Sequence, residues 1–108
     1  MRLFVYGTLT DPAVVERLTG KPATLRPATL DGFLRVRLRG TPYATLARGR
    51  GRVKGAVLFA DRSTFRRLHA YEVPRYRLAP VRPRLAGRRA AVPALAWIAP
   101  CATRQLWR

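Results

Sequence analysis

The chain has 108 residues, 48% of them hydrophobic, with one cysteine, one histidine, and 22 Lys and Arg against five Asp and Glu, a formal net charge of +17. That length supports one domain, residues 1–108, with a single core, and the apolar content argues against disorder. Lone Cys101 makes no internal disulfide, lone His69 has no cluster with which to hold zinc, and no apolar stretch approaches the roughly 20 residues of a membrane span. Met1–Tyr6 lacks a signal-peptide shape, so a cytoplasmic protein without a membrane anchor is expected.

In chain order, Leu3–Tyr6 is a strand that stops at Gly7. Asp11 and Pro12 open a helix, aspartate as cap and proline in the first turn, with Val14, Val15 and Leu18 on one side and Gly20 at its end. From Ala23 to Leu38 apolar and arginine positions alternate, and Asp31-Gly32 divides the run into two strands joined by a turn or a bulge. Pro42–Leu46 is a short extended piece and Arg48–Gly51 a loop. Val53–Ala60 is a strand. Asp61 caps a helix that runs to about Tyr71, turns Phe65 and Leu68 inward, and is stopped by Pro74. Arg75–Arg84 is extended but broken by Pro80 and Pro83; Gly87–Arg89 is a turn, and Ala91–Ala99 the last strand. The order predicts an α+β domain with a mixed, strongly curved or barrel-like sheet and two short helices.

Twenty of the 22 basic residues are arginine, scattered along the chain. A solvated, compositionally biased surface is the plainer reading, and a nucleic-acid surface the alternative. Either attracts polyanions non-specifically, with steep salt dependence. Among the five acids, Asp11 and Asp61 stand at helix caps, Asp31 in a turn, and Glu16 on a solvent-facing side. Glu72 has no evident structural task. It falls at a helix end whose dipole disfavours a carboxylate, between the bulky Tyr71 and Val73-Pro74. Desolvation there raises a glutamate toward neutrality, where it works as a base, while the arginines push the other way. A surface glutamate paired with Arg75 or Arg77 is the competing reading. His69 reads as a partly buried helix residue and Cys101 as a small apolar filler. Neither belongs to a nucleophilic triad, and no phosphate-cradling glycine loop is present.

The strand end Tyr6-Gly7-Thr8-Leu9 leaves backbone N–H groups free to hold a carboxylate or carbonyl oxygen; read blandly, it is a strand ending in a turn. Taken with Pro42-Tyr43-Ala44, Val53-Lys54-Gly55-Ala56-Val57-Leu58-Phe59, Leu68-His69-Ala70-Tyr71-Glu72 followed by Tyr76-Arg77, and Ala94–Ile98, it resembles the gamma-glutamylcyclotransferase-like proteins, in particular their small single-domain, gamma-glutamylamine cyclotransferase-like branch. His69 stands where that family usually carries aspartate and Val73 where it usually carries glycine. The resemblance implies the release of 5-oxoproline from a gamma-glutamyl amine, amino acid or peptide, by attack of the substrate's own amine and without cofactor or metal. It implies Glu72 as general acid and base, the N–H groups of Gly7, Thr8 and Leu9 on the glutamyl end, Tyr6 as a wall, and Tyr43 and Tyr76 lining the pocket. The alternative is a catalytically silent module of the same fold that binds polyanions or nucleic acid through its arginines. Oligomeric state and leaving group are not legible.

Overall fold

The computed structural model describes residues 1–38, 40–73, 75–99 and 104–106, the last three as backbone only. In order they form β1 (Arg2–Val5), a 3-10 turn (Thr8–Thr10), α1 (Pro12–Thr19), β2 (Thr24–Leu38), β3 (Ala44–Phe59), α2 (Arg62–Glu72), β4 (Arg77–Val81), β5 (Arg84–Leu85), β6 (Ala94–Ile98) and β7 (Arg104–Leu106). The strands lie side by side as β4-β6-β1-β3-β2-β5, and β7 adds to β2. β1 runs parallel to β6, while the other pairings are antiparallel, so the sheet is mixed.

The connectivity forces this sheet to curl. β4 and β5 are the two outer strands of the six-strand path, yet only Arg82 and Pro83 join them. Three Cα steps reach at most about 11 Å, whereas the outer strands of a flat six-stranded sheet stand about 24 Å apart. The α+β architecture with a strongly curved sheet and two short helices is therefore as expected. The ring stays open, because β4 pairs with β6 and β5 with β2 but not, among the described residues, with each other.

Both faces of β1 are buried. Leu3 and Val5 pack with Val15, Leu58, Leu68 and Trp97 in the layer that the helices cover. Phe4 and Tyr6 pack with Leu30, Leu46, Val53 and Val57 in a second layer made by strands alone. The helix ends follow local chemistry. The Asp11 carboxylate accepts from the Ala13 N–H at 2.9 Å and that of Asp61 from the Thr64 N–H at 2.7 Å. Gly20 closes α1 at φ 74°, in the left-handed region that suits glycine.

Three expectations need correction. Residues Ala23–Leu38 give one strand rather than two, and of the turn or bulge expected at Asp31-Gly32 it is the bulge that forms, with Gly32 at φ 82°. Arg48–Gly51 is strand rather than loop. A Cβ on Gly49 or Gly51 would lie 2.8 and 2.6 Å from the Leu34 side chain, so these glycines admit a cross-strand neighbour instead of making a turn. The last strand begins at Ala94, not Ala91, because Pro93 has no N–H to give a ladder. β7 was not foreseen at all. The proposed helix stop Pro74 and filler Cys101 lie outside the described residues.

Candidate functional site

A cleft of about 890 Å³ opens at the C-terminal end of β1. It is lined by Tyr6–Thr10, where the chain leaves the sheet, by Tyr71–Val73 at the end of α2 with Arg75 and Tyr76, and by Pro42–Ala44 from the β2–β3 connection with Arg35 of β2. All seven residues singled out from sequence, Tyr6, Gly7, Thr8, Leu9, Tyr43, Glu72 and Tyr76, line this one cleft. Its size lies within the range of small-molecule sites.

The end of β1 is held by its neighbour. A Cβ on Gly55 of β3 would sit 2.2 Å from the Val5 carbonyl oxygen and 2.9 Å from the Phe4 ring, so β3 approaches as closely as it does only because residue 55 is glycine. Beyond it the turn is tied by Gly7, whose carbonyl accepts from the Thr10 N–H at 3.0 Å and the Thr10 hydroxyl at 2.6 Å. The N–H groups of Gly7, Thr8 and Leu9 donate to no other described residue. The Leu9 side chain itself is buried among the helix-side core.

Two of the cleft's tyrosines have their hydroxyls committed to backbone. The Tyr6 hydroxyl donates to the Trp97 carbonyl, and that of Tyr76 to the Ala44 carbonyl at 2.8 Å. Burial is the main cause that raises both phenols, Tyr76 to about 12 and Tyr6 further still. The charge of Glu72 also raises each of them, which puts the carboxylate within electrical reach of both.

Glu72 is the one carboxylate among the residues lining the cleft. It is largely buried, and no Lys, Arg or His nitrogen of the described residues lies within 4.0 Å of it. Arg75, the partner that a surface glutamate would take, rests instead on the Tyr43 ring, its guanidinium carbon 4.5 Å from the centroid. Burial lifts the Glu72 carboxyl from its ordinary 4.5 to about 7, against an opposing pull from Arg75. A carboxyl at that level both takes and gives a proton near neutral pH.

The two departures from the family pattern have local accounts. His69 Nδ1 accepts the indole N–H of Trp97 at 3.1 Å, and the Phe65, His69 and Trp97 rings stack, so this side chain serves the wall behind the cleft rather than the cleft itself. Val73 follows α2 at φ −75°, ψ 149°, ordinary extended backbone that needs no glycine. Arg35 and Trp97 are cleft residues that sequence reasoning passed over. In β2, Ala28 and Leu30 face the strand-only core at even positions; past the bulge Phe33 takes that side, which carries Arg35, paired with Leu46, inward as well. The bulge signal at Asp31-Gly32 could have shown this shift of parity. Among the described residues no three of His, Cys, Asp and Glu come together as a metal site would need, and no helix is long and apolar enough to cross a membrane.

Known proteins share this fold. A solution structure from Arabidopsis thaliana superimposes at a TM-score of 0.80 with 26% identity, over 91% of this chain and 61% of the other. A structure described as a gamma-glutamyl cyclotransferase gives a TM-score of 0.78 over 97% of this chain and 68% of its own, at 15% identity, a likeness of fold. The Arabidopsis thaliana AIG2-like protein C is 47% identical over 57 residues, 52% of this chain and 33% of that protein. The chain thus matches about a third of the length of such curated relatives. The family model for "Gamma-glutamyl cyclotransferase, AIG2-like" matches residues 3–107, and the chain belongs to that family.

Proposed function

We propose that the protein is a gamma-glutamylcyclotransferase-type enzyme that releases 5-oxoproline from a gamma-glutamyl amine, amino acid or peptide. The observation that supports this reading best is Glu72, an unpaired and largely buried carboxylate in the same cleft as the free N–H groups of the Gly7–Leu9 turn. In this reading the turn holds the glutamyl end of the substrate and the ring of Tyr6 backs it. The Glu72 carboxylate takes a proton from the substrate's alpha-ammonium. The freed amine attacks the gamma-carbonyl carbon, a tether that makes the step intramolecular. A new C–N bond closes the five-membered ring, and the bond to the departing amine breaks as the proton held by Glu72 goes to that leaving nitrogen. The ring nitrogen then gives its second proton to Glu72, which passes it to the departing amine, so that this leaves as an ammonium and Glu72 returns to the carboxylate. Atoms and charge balance over the cycle with the residues of the cleft alone.

Incubation with a panel of gamma-glutamyl compounds should yield 5-oxoproline from at least one. Glu72→Gln, which keeps size and removes the base, should then lose about two to four powers of ten in kcat. Full activity in that variant rules out Glu72 as the base.

A second reading has its own support. Gly49 and Gly51 face Leu34, so Arg48, Arg50 and Arg52 share the other side of β3, exposed and in a row. A module that binds polyanions there would show affinity falling steeply as salt rises. Weak binding with a flat salt dependence sinks it.

A further inference from the structure

We propose that Tyr43 is a positioning residue for Glu72: its ring seats the Arg75 guanidinium at the wall of the cleft and so keeps that cation off the carboxylate. The proposal rests on Glu72 as the base, but it concerns a different residue and is read out without turnover.

The geometry starts from the backbone after α2. The Tyr76 N–H donates to the Glu72 carbonyl at 3.1 Å, so the chain turns and brings Arg75 back beside Glu72. An arginine on a long flexible stem has two seats there, the carboxylate and the Tyr43 ring. It occupies the ring, 4.5 Å from its centroid. The two side chains are held in register by their neighbours, since the Tyr76 hydroxyl bonds to the Ala44 carbonyl at 2.8 Å. That bond links residue 76, next to Arg75, with residue 44, next to Tyr43. A guanidinium over a tyrosine face is attracted by the ring quadrupole and keeps its charge.

The other ionisable groups of the cleft do not take Arg75's place. Tyr6 comes from the end of β1 and Tyr76 from the segment after α2, both with hydroxyls committed to carbonyls. Tyr71 precedes Glu72 on α2, and Arg35 comes from β2. Of the cations, Arg75 is the one whose charge pulls the Glu72 carboxyl down, and burial outweighs it. A direct ion pair would strengthen that pull. An arginine in contact typically lowers a carboxyl by one to three units, out of the range in which a base serves at neutral pH. Tyr43 therefore acts through Arg75 and not as part of the substrate wall alone.

The test is the titration of the Glu72 side-chain carboxyl by carbon-13 NMR on the full chain. Tyr43→Leu should lower its midpoint by about one unit or more, a tenfold change in proton affinity. Tyr43→Phe keeps the ring and should leave the midpoint in place. Arg75→Gln should raise it modestly, and the double variant Y43L/R75Q should match Arg75→Gln alone. The acid limb of kcat/KM should move down with the Tyr43→Leu midpoint, which a loss of wall packing alone would not do. Tyr43 is 40% exposed, so its replacement spares the core. An unmoved midpoint in Tyr43→Leu overturns the proposal, and so does a Tyr43→Leu shift that survives in the R75Q background. If the wild-type protein makes no 5-oxoproline, the assignment of Glu72 as base fails while the NMR titration still judges Tyr43.

Discussion

The two ends of α2 carry carboxylates in opposite circumstances. At the start, exposed Asp61 accepts from the Thr64 N–H and pairs with Lys21 at 2.9 Å, and these partners hold its carboxyl well below the usual range. At the finish of the same 11-residue helix, Glu72 is largely buried, has no such partner, and stands at about 7. The helix dipole favours the first and opposes the second. One end uses an acid to hold the fold together; the other holds an acid that the fold would be more stable without. That contrast locates the site better than charge does, since +17 is spread over the whole chain.

The largest effect on stability should come from the reactive end. Folded Glu72 keeps its proton up to about pH 7, whereas an ordinary glutamate gives it up near 4.5. Between those values the folded state binds more protons than the unfolded one, so the wild-type protein loses stability as pH rises through that window. The loss is at most about 3 kcal/mol, less in proportion to the residual exposure of the carboxyl. Glu72→Gln does not titrate. It should unfold at higher urea than wild type at pH 8, with most of the advantage gone at pH 5. An advantage equal at both pH values would show that Glu72 pays no burial cost.

The frame that presents Glu72 to the turn can be broken from β3. Gly55→Ala would press a Cβ against the Val5 carbonyl, a backbone atom that cannot swing aside. Overpacking of this kind costs about 1–3 kcal/mol, and it displaces the strand end from which Tyr6 and Gly7 start. Thermal unfolding and kcat/KM should therefore fall together. Unchanged stability in Gly55→Ala would remove the close approach from the account.

How much of this was legible in the sequence divides along the range of the interactions. The caps Asp11, Gly20 and Asp61 were legible because each acts within one helical turn. Glu72 stood out because the other four acids had local tasks. The Tyr6–Leu9 strand end stood out from its own residues, while its role and those of the tyrosines came from family resemblance, and the structure gathers them all in one cleft. Arg48–Gly51 misled because its glycines answer to Leu34 on the neighbouring strand, and composition alone cannot distinguish a glycine that makes a turn from one that admits a side chain. Arg35 was invisible for a related reason. A bulge at Gly32 reverses which alternate positions face inward, and an arginine read as solvent-facing arrives in the cleft.

Behind the reactive end, the indole N–H of Trp97 needs an acceptor, and His69 Nδ1 supplies it. Trp97 is 3% exposed, and its carbonyl in turn anchors the Tyr6 hydroxyl. His69→Leu keeps the bulk and removes the acceptor, which should cost about 1–3 kcal/mol for a buried donor left unpaired. His69→Asp restores an acceptor of the type usual in the family and should recover part of that loss. Equal destabilisation in both variants would mean that ring stacking with Phe65 and Trp97, rather than the hydrogen bond, is what His69 contributes.

The smallest effect belongs to the structural end. Asp61→Ala removes the acceptor of the Thr64 N–H and the partner of Lys21, an exposed side chain that then turns to water. The cap supplies most of the change and the surface ion pair little. Unfolding should shift by a few degrees, and kcat should not move, because the cleft lies at the other end of the helix. The sign of the pH dependence is opposite to that of Glu72. A carboxyl held low contributes stability that is complete at neutral pH and is lost as pH falls through and below the ordinary carboxylate range. The gap between wild type and Asp61→Ala should therefore narrow in acid, where that between wild type and Glu72→Gln also closes, but from the other side: one variant begins weaker than wild type at neutral pH and the other stronger. Should Asp61→Ala change kcat as much as it changes stability, the two ends of α2 would not be independent, and the separation of a holding acid from a reacting one would fail.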